Sequence, residues 1–155
     1  MNCGPSLKFR VQDIKDQQGL IASMSLDAAA LLGEAIEEAK IKEPITVALE
    51  FSVGGKEILL EARLAGRFTL PCSLCLAEHR RPFEANFEET YDASADEIDA
   101  KEDLRQAVIM EIPQRSVCRE DCKGLCGQCG TNRNEKPCGC VERRPSPFDA
   151  LKKLT

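Results

Sequence analysis

The chain has 155 residues, 43% of them hydrophobic and 30% charged, with a formal net charge of −5. That length can bury a core of its own without a disulfide framework. No apolar run approaches the ~18 residues of a membrane span, and the opening MNCGPSLKFRVQD has no apolar segment of the kind that heads a secretory signal, so a cytoplasmic protein with reduced thiols is expected.

Leu7 to Ile14 reads as a short strand in which Phe9 and Val11 alternate with Lys8 and Arg10. Ser25 is the expected N-cap of an amphipathic helix, with Asp27 in its first turn and Ala28, Leu31, Leu32, Ala35 and Ala39 at helical spacing. Pro44 closes that segment. The strongest β pattern follows. Ile45, Val47, Leu49, Phe51 and Val53 share one strand face, Gly54-Gly55 is the expected hairpin turn, and Ile58, Leu60, Ala62, Leu64, Phe68 and Leu70 share a face of the next strand. Glu50, Glu61, Arg63 and Arg67 then point to solvent. After a turn from Pro71 to Leu76, Phe83, Ala85, Phe87 and Tyr91 resume the alternation, which reads as core rather than as a surface for stacking bases. Residues 92–103 form an acidic linker, Asp103 to Ile112 is a predicted helix ended by Pro113, and Ser146-Pro147-Phe148 opens a terminal helix with Phe148, Leu151 and Leu154 as its stripe. The fold class expected is α+β: an antiparallel β-meander with flanking helices, in a core of residues 1–113, followed by a Cys-rich metal-binding tail of residues 114–155.

The cysteine spacing carries the chemistry. Six of nine cysteines run as Cys118-x3-Cys122-x3-Cys126-x2-Cys129-x8-Cys138-x1-Cys140, and Cys72-x2-Cys75 sits at the tip between the second and third strands of the meander. Two cysteines two residues apart can grip one ion, and a second pair completes a tetrahedron around Zn²⁺. Gly127 and Gly130 are expected where the backbone curls toward the sulfurs. Disulfides and a thioredoxin-like use of Cys72 and Cys75 are the competing readings; the missing secretory signal weighs against the first and the hairpin context against the second. The pairing favoured is Cys126, Cys129, Cys138 and Cys140 in one closed site, with Cys72, Cys75, Cys118 and Cys122 in a second that clamps the hairpin tip to the tail. Cys3 has no partner in sequence and is a spare thiol.

Charge is unevenly spread. Residues 1–113 hold 12 Lys/Arg against 21 Asp/Glu, a net of −9, whereas residues 114–155 hold 9 against 5, a net of +4. Arg115, Arg119, Lys123 and Arg133, with Arg143 and Arg144, offer a local cationic surface, although thiolates around zinc would offset much of that charge. His79, the only histidine, reads as a solvated hairpin shoulder beside Arg80 and Arg81 rather than as a ligand. With one histidine and no Gly-rich phosphate loop, the parts for acid–base catalysis or nucleotide hydrolysis are thin, and a non-enzymatic protein is expected.

The sheet ending in LPCSLCL, the acidic linker, the run IPQRSVCREDCKGLCGQCGTNRNEKPCGC and the closing SPFDALKKL resemble the YceD family of large ribosomal RNA subunit accumulation proteins, over roughly Pro44 to Thr155. The resemblance implies a bacterial, non-catalytic factor, with plastid relatives, that supports synthesis, processing or stability of 23S ribosomal RNA and large-subunit assembly. The expected partner is a ribosomal protein or pre-ribosomal particle, and the alternative is a zinc-dependent module touching ribosomal RNA directly.

Overall fold

The computed structural model describes residues 6–33 and 39–140. Its elements in chain order are β1 (Lys8–Arg10), α1 (Val11–Asp16), β2 (Leu20–Leu26), α2 (Ala28–Leu32), β3 (Ile45–Gly54), β4 (Glu57–Pro71), β5 (Glu78–Asp92), β6 (Glu97–Asp99) and α3 (Lys101–Met110). β2 to β5 form a four-stranded antiparallel sheet in the order β2-β3-β4-β5, and β1 pairs with β6 in a separate two-stranded ribbon. The expected α+β meander is what forms. No helix among the described residues is long and apolar enough to cross a membrane.

Alternation on the sheet decides which face is covered. The in-register row Met24, Val47, Leu64 and Ala85 runs across all four strands on the inner face, while the row Glu50, Glu61 and Glu88 lies on the outer one. Val11 and Ile14 of α1, Leu31 and Leu32 of α2, and Leu104 and Val108 of α3 cover the inner face, and all six are buried. Phe9 meets Phe51 with ring centroids 4.8 Å apart, and Phe68 stacks on Phe83 at 4.3 Å. Gly66 makes room for that stack, since a Cβ there would lie 2.7 Å from Phe83 Cε1.

Several boundaries differ from expectation. Only Lys8–Arg10 of the first predicted strand is extended; Val11 and Ile14, three residues apart, instead put their side chains into the core from one helical turn. Ser25 is not a cap but a residue of β2 opposite Thr46. Asp27 is the N-cap, accepting from the Ala29 N–H at 3.4 Å, and the helix stops at Gly33 (φ 61°); Ala35 falls outside the described residues. The β3–β4 turn is one residue later than expected, with Gly54 paired to Glu57 and Gly55 (φ 64°) and Lys56 at its tip. Residues 92–103 are not an irregular linker. They contain β6 and the first turn of α3, anchored by buried Ala93, Ile98 and Ala100 among the carboxylates. The expected helix from Ser146 lies outside the described residues.

Candidate metal centres at the hairpin tip and in the tail

β4 and β5 hold the first centre. Their connection turns back at Cys72, whose N–H donates to Ala77 O at 2.9 Å while the Leu76 N–H donates to Cys72 O at 2.9 Å. The Leu74 and Cys118 N–H groups donate to Cys72 Sγ, each at 3.4 Å. Donors aimed at sulfur stabilise a thiolate. Two points of the tail dock on the same tip: Ser73 N–H donates to Ser116 O at 2.7 Å and Ser116 N–H donates to Ser73 Oγ at 3.1 Å, and Leu125 N–H donates to Leu74 O at 2.9 Å. Cys72, Cys75, Cys118 and Cys122 are thereby gathered with all four sulfurs within 4.8 Å of one another.

The second centre is built inside the tail. Cys126 N–H donates to Thr131 O at 2.8 Å and Gly130 N–H donates to Cys126 O at 2.8 Å, closing the turn that carries Cys126 and Cys129. Gly130 takes φ 70°, as a left-handed turn residue, whereas Gly127 does not need its freedom there. Cys126, Cys129, Cys138 and Cys140 again lie within 4.8 Å of one another.

Sulfur spacing tests whether a metal fits. A tetrahedron with metal–sulfur bonds of about 2.3 Å has edges of about 3.8 Å. Cys72 and Cys122 sulfurs are 3.8 Å apart and those of Cys75 and Cys118 are 3.7 Å apart. That separation is far too long for a disulfide, and all eight cysteines are free thiols. Each quartet could hold a metal ion.

Crowded thiols cannot all ionise in the absence of a cation, and their proton affinities diverge accordingly. Burial opposes ionisation of Cys72, but N–H donors from Cys75, Cys118 and Leu74 outweigh it and hold the thiol down at about 5. Burial, followed by the hydrogen bonds to its three sulfur neighbours, pushes Cys118 up to about 12. In the tail, the Cys129 and Gln128 N–H groups lower Cys126 to about 6, while the Cys129 sulfur, then burial, raises Cys140 to about 12. A dication among the four sulfurs would remove that conflict.

Two further sets of contacts organise the centres. Asn134 Oδ1 accepts from the Arg119 guanidinium at 2.8 Å and from the Lys123 N–H at 2.9 Å, and its Nδ2 donates to Cys122 Sγ at 3.4 Å. This one side chain joins the loop between the second centre's cysteine pairs to a sulfur of the first. Ser116, 5% exposed, meets His79 Nε2 at 2.7 Å. His79 is therefore no solvated shoulder; it packs half-buried at the junction of hairpin and tail, because its place opposite Leu70 points it at the docked segment. Neither role was read from sequence. The polar run Thr131 to Lys136 between cysteine pairs was the available signal for Asn134.

The cationic residues are not equivalent. Arg115, Arg119 and Lys123 are exposed around the first centre. Arg119 is engaged within the tail by Asp121 at 3.3 Å as well as by Asn134. Arg133 is half-buried, its N–H donating to Gly124 O at 2.9 Å. Arg143, Arg144 and Cys3 lie outside the described residues.

Comparison with known proteins bears on the tail above all. Residues 92–155 match the family described as Large ribosomal RNA subunit accumulation protein YceD. The chain is similar to the chloroplastic Large ribosomal RNA subunit accumulation protein YCED homolog 1 of Arabidopsis thaliana, 41% identical over 44 residues, covering 28% of this chain and 14% of that protein. The Zea mays homolog 1 is 36% identical over 63 residues, covering 40% of this chain and 22% of its own length. An uncharacterized protein of Mycobacterium tuberculosis is 30% identical over 97 residues, covering 52% of this chain and 47% of its own. Each match thus spans less than half of the relative's own length. No solved structure matches.

Proposed function

We propose that this chain, whose residues 92–155 match the YceD family, is a non-catalytic factor that supports the accumulation of large-subunit ribosomal RNA, with one Zn²⁺ in each cysteine quartet. The observation that carries the reading is the coincidence of the family match with the two four-sulfur centres, six of whose eight ligands fall inside the matched residues. Four thiolates with no open position suit a structural ion rather than a catalytic one. Zinc would fix the tail's backbone; Cys72, Cys75, Cys118 and Cys122 would hold one ion, and Cys126, Cys129, Cys138 and Cys140 the other.

The tail so ordered is the contact surface, through Arg115, Lys123 and their neighbours Arg119 and Arg133, in a reducing compartment such as a bacterial cytoplasm. Its partner is a ribosomal protein or pre-ribosomal particle, in keeping with the net −9 of residues 1–113, which favours basic partners over a phosphate backbone. Cells without the protein should accumulate less 23S than 16S ribosomal RNA, and the variant with Arg115, Arg119, Lys123 and Arg133 all changed to Glu should rescue poorly while remaining folded. A capture that survives nuclease supports the protein partner. A nuclease-sensitive capture lost steeply with salt would replace it with direct RNA contact. A normal ratio of the two RNAs in the deletion would reject the function outright.

A further inference from the structure

The two edges of the main sheet are treated differently by the sequence. β5, at one edge, carries seven charged side chains and a proline in its 15 residues, the ordinary means of keeping an edge from pairing with another chain. β2, at the other, reads LIASMSL with no charge, proline or glycine. Among the described residues no strand pairs with its outer side. Ile21 is 75% exposed on the sheet's outer face, and Leu20, Ala22 and Met24, although they face the core, are only partly buried. An unblunted edge in a protein that blunts its other edge points to an edge that is covered.

We propose that two copies of this chain pair through β2, antiparallel about a twofold axis at Ser23, to make one continuous eight-stranded sheet. This rests on the fold alone and is independent of the metal centres. In that register Leu20 faces Leu26 and Ala22 faces Met24 on the inner side, so apolar meets apolar and the partly buried side chains are covered. On the outer side Ile21 faces Ser25 and Ser23 faces itself. No charges of like sign oppose one another, which cross-strand pairing would penalise. A twofold pairing uses the same strand from each copy, and with β5 blunted at both outer edges the assembly stops at a dimer rather than extending.

Sedimentation of the full chain tests this directly. Between about 1 and 100 µM, a range suited to a small interface, the mass should rise from 17.1 kDa toward twice that value. Ser23→Lys sets two ammonium groups against each other across the axis and should weaken association at least about tenfold, with the circular dichroism of the monomer unchanged because Ser23 is exposed. The register is read by paired changes. Ile21→Lys with Ser25→Glu, which also sets Lys opposite Glu50 of its own sheet, should keep the dimer and make it salt-sensitive, whereas Ile21→Lys with Ser25→Lys should abolish it. A mass of 17.1 kDa at every concentration overturns the proposal, as does a dimer that Ser23→Lys leaves intact or that a chelator dissolves.

Discussion

Removing both proposed metals should unfold the tail and leave the sheet standing. The buried hydrophobic core runs from Leu7 to Val108 and takes no residue from the tail. Of residues 114–140, only Ser116, Gly124 and Cys126 are buried. Ordering those 27 residues at ~1 kcal/mol each costs about 27 kcal/mol, and so little burial cannot offset it. The two zinc ions proposed above, at roughly 10–16 kcal/mol apiece, would supply about 20–32 kcal/mol, comparable to the whole cost. Stripping the metal with a strong chelator under reducing conditions should therefore expose amides 114–140 to exchange and to protease, while those of β3 and the paired part of β4 remain protected and the sheet's urea midpoint shifts by no more than ~1 kcal/mol equivalent. If the β3 and β4 amides lose protection together with the tail, the core is not self-sufficient and the reasoning fails.

Three other perturbations follow from close contacts. Gly66→Ala would drive a methyl into Phe83 at 2.7 Å, breaking the stack on Phe68 and costing about 1–3 kcal/mol in denaturant unfolding; a neutral result would mean that the β4–β5 ladder yields easily. Gly124→Ala combines φ +69° with a Cβ 3.0 Å from Leu74 O, so it should loosen the tail from the hairpin tip, seen as faster exchange at the Leu125 N–H, with little change in the sheet. Tyr91 is the chain's only tyrosine; burial, then its hydrogen bond to Asp103, raises its pKa above the ordinary 10.0. Because the folded state holds the proton more tightly, this contribution to stability is complete below about pH 10 and is lost as pH climbs through the folded value. Phenolate absorbance should show a native midpoint above that in urea, and Tyr91→Phe should remove the corresponding alkaline slope in stability.

The strands that could be read from sequence were those with a strongly apolar inner face and charge on the outer one. β3, β4 and β5 announce themselves because Glu50, Glu61 and Arg63, and on β5 Glu84 and Glu88, interrupt apolar side chains at period two. β2 escapes because its outer residues are Ile21, Ser23 and Ser25 and its inner ones include Ala22, leaving little contrast to alternate. The β1–β6 ribbon was invisible for another reason: its pairing is fixed by residues 97–99 folding back on 8–10, a contact nearly ninety positions apart, and the carboxylates around Ile98 read as solvated linker. The quartet Cys126, Cys129, Cys138 and Cys140 was legible from spacing, because its two pairs lie within one short stretch of chain, whereas the gap between Cys118 and Cys122 is looser and left the other set open. What spacing could not supply was the docking that completes the first quartet, in which Ser73, Ser116 and His79 meet across 43 and 37 positions.

The first quartet also separates this chain's architecture from the part of it that matches the family. All four cysteines of the second centre lie within residues 92–155, but Cys72 and Cys75 of the first lie outside and are carried by the hairpin tip. The matched residues alone can complete one tetrahedron and half of another. The paired change Cys72→Ser and Cys75→Ser should accordingly lower bound zinc from about two to about one per chain, because Cys118 and Cys122 retain only two thiolates. The remaining ion should be held by Cys126, Cys129, Cys138 and Cys140, so that adding Cys138→Ser removes it as well. Elemental analysis with cobalt substitution distinguishes these states, because the sulfur-to-metal band of cobalt grows in intensity with the number of thiolates bound. Retention of two ions in the Cys72/Cys75 double variant would show that the tail closes both sites unaided, and the hairpin tip would then be a neighbour of the first centre rather than half of it.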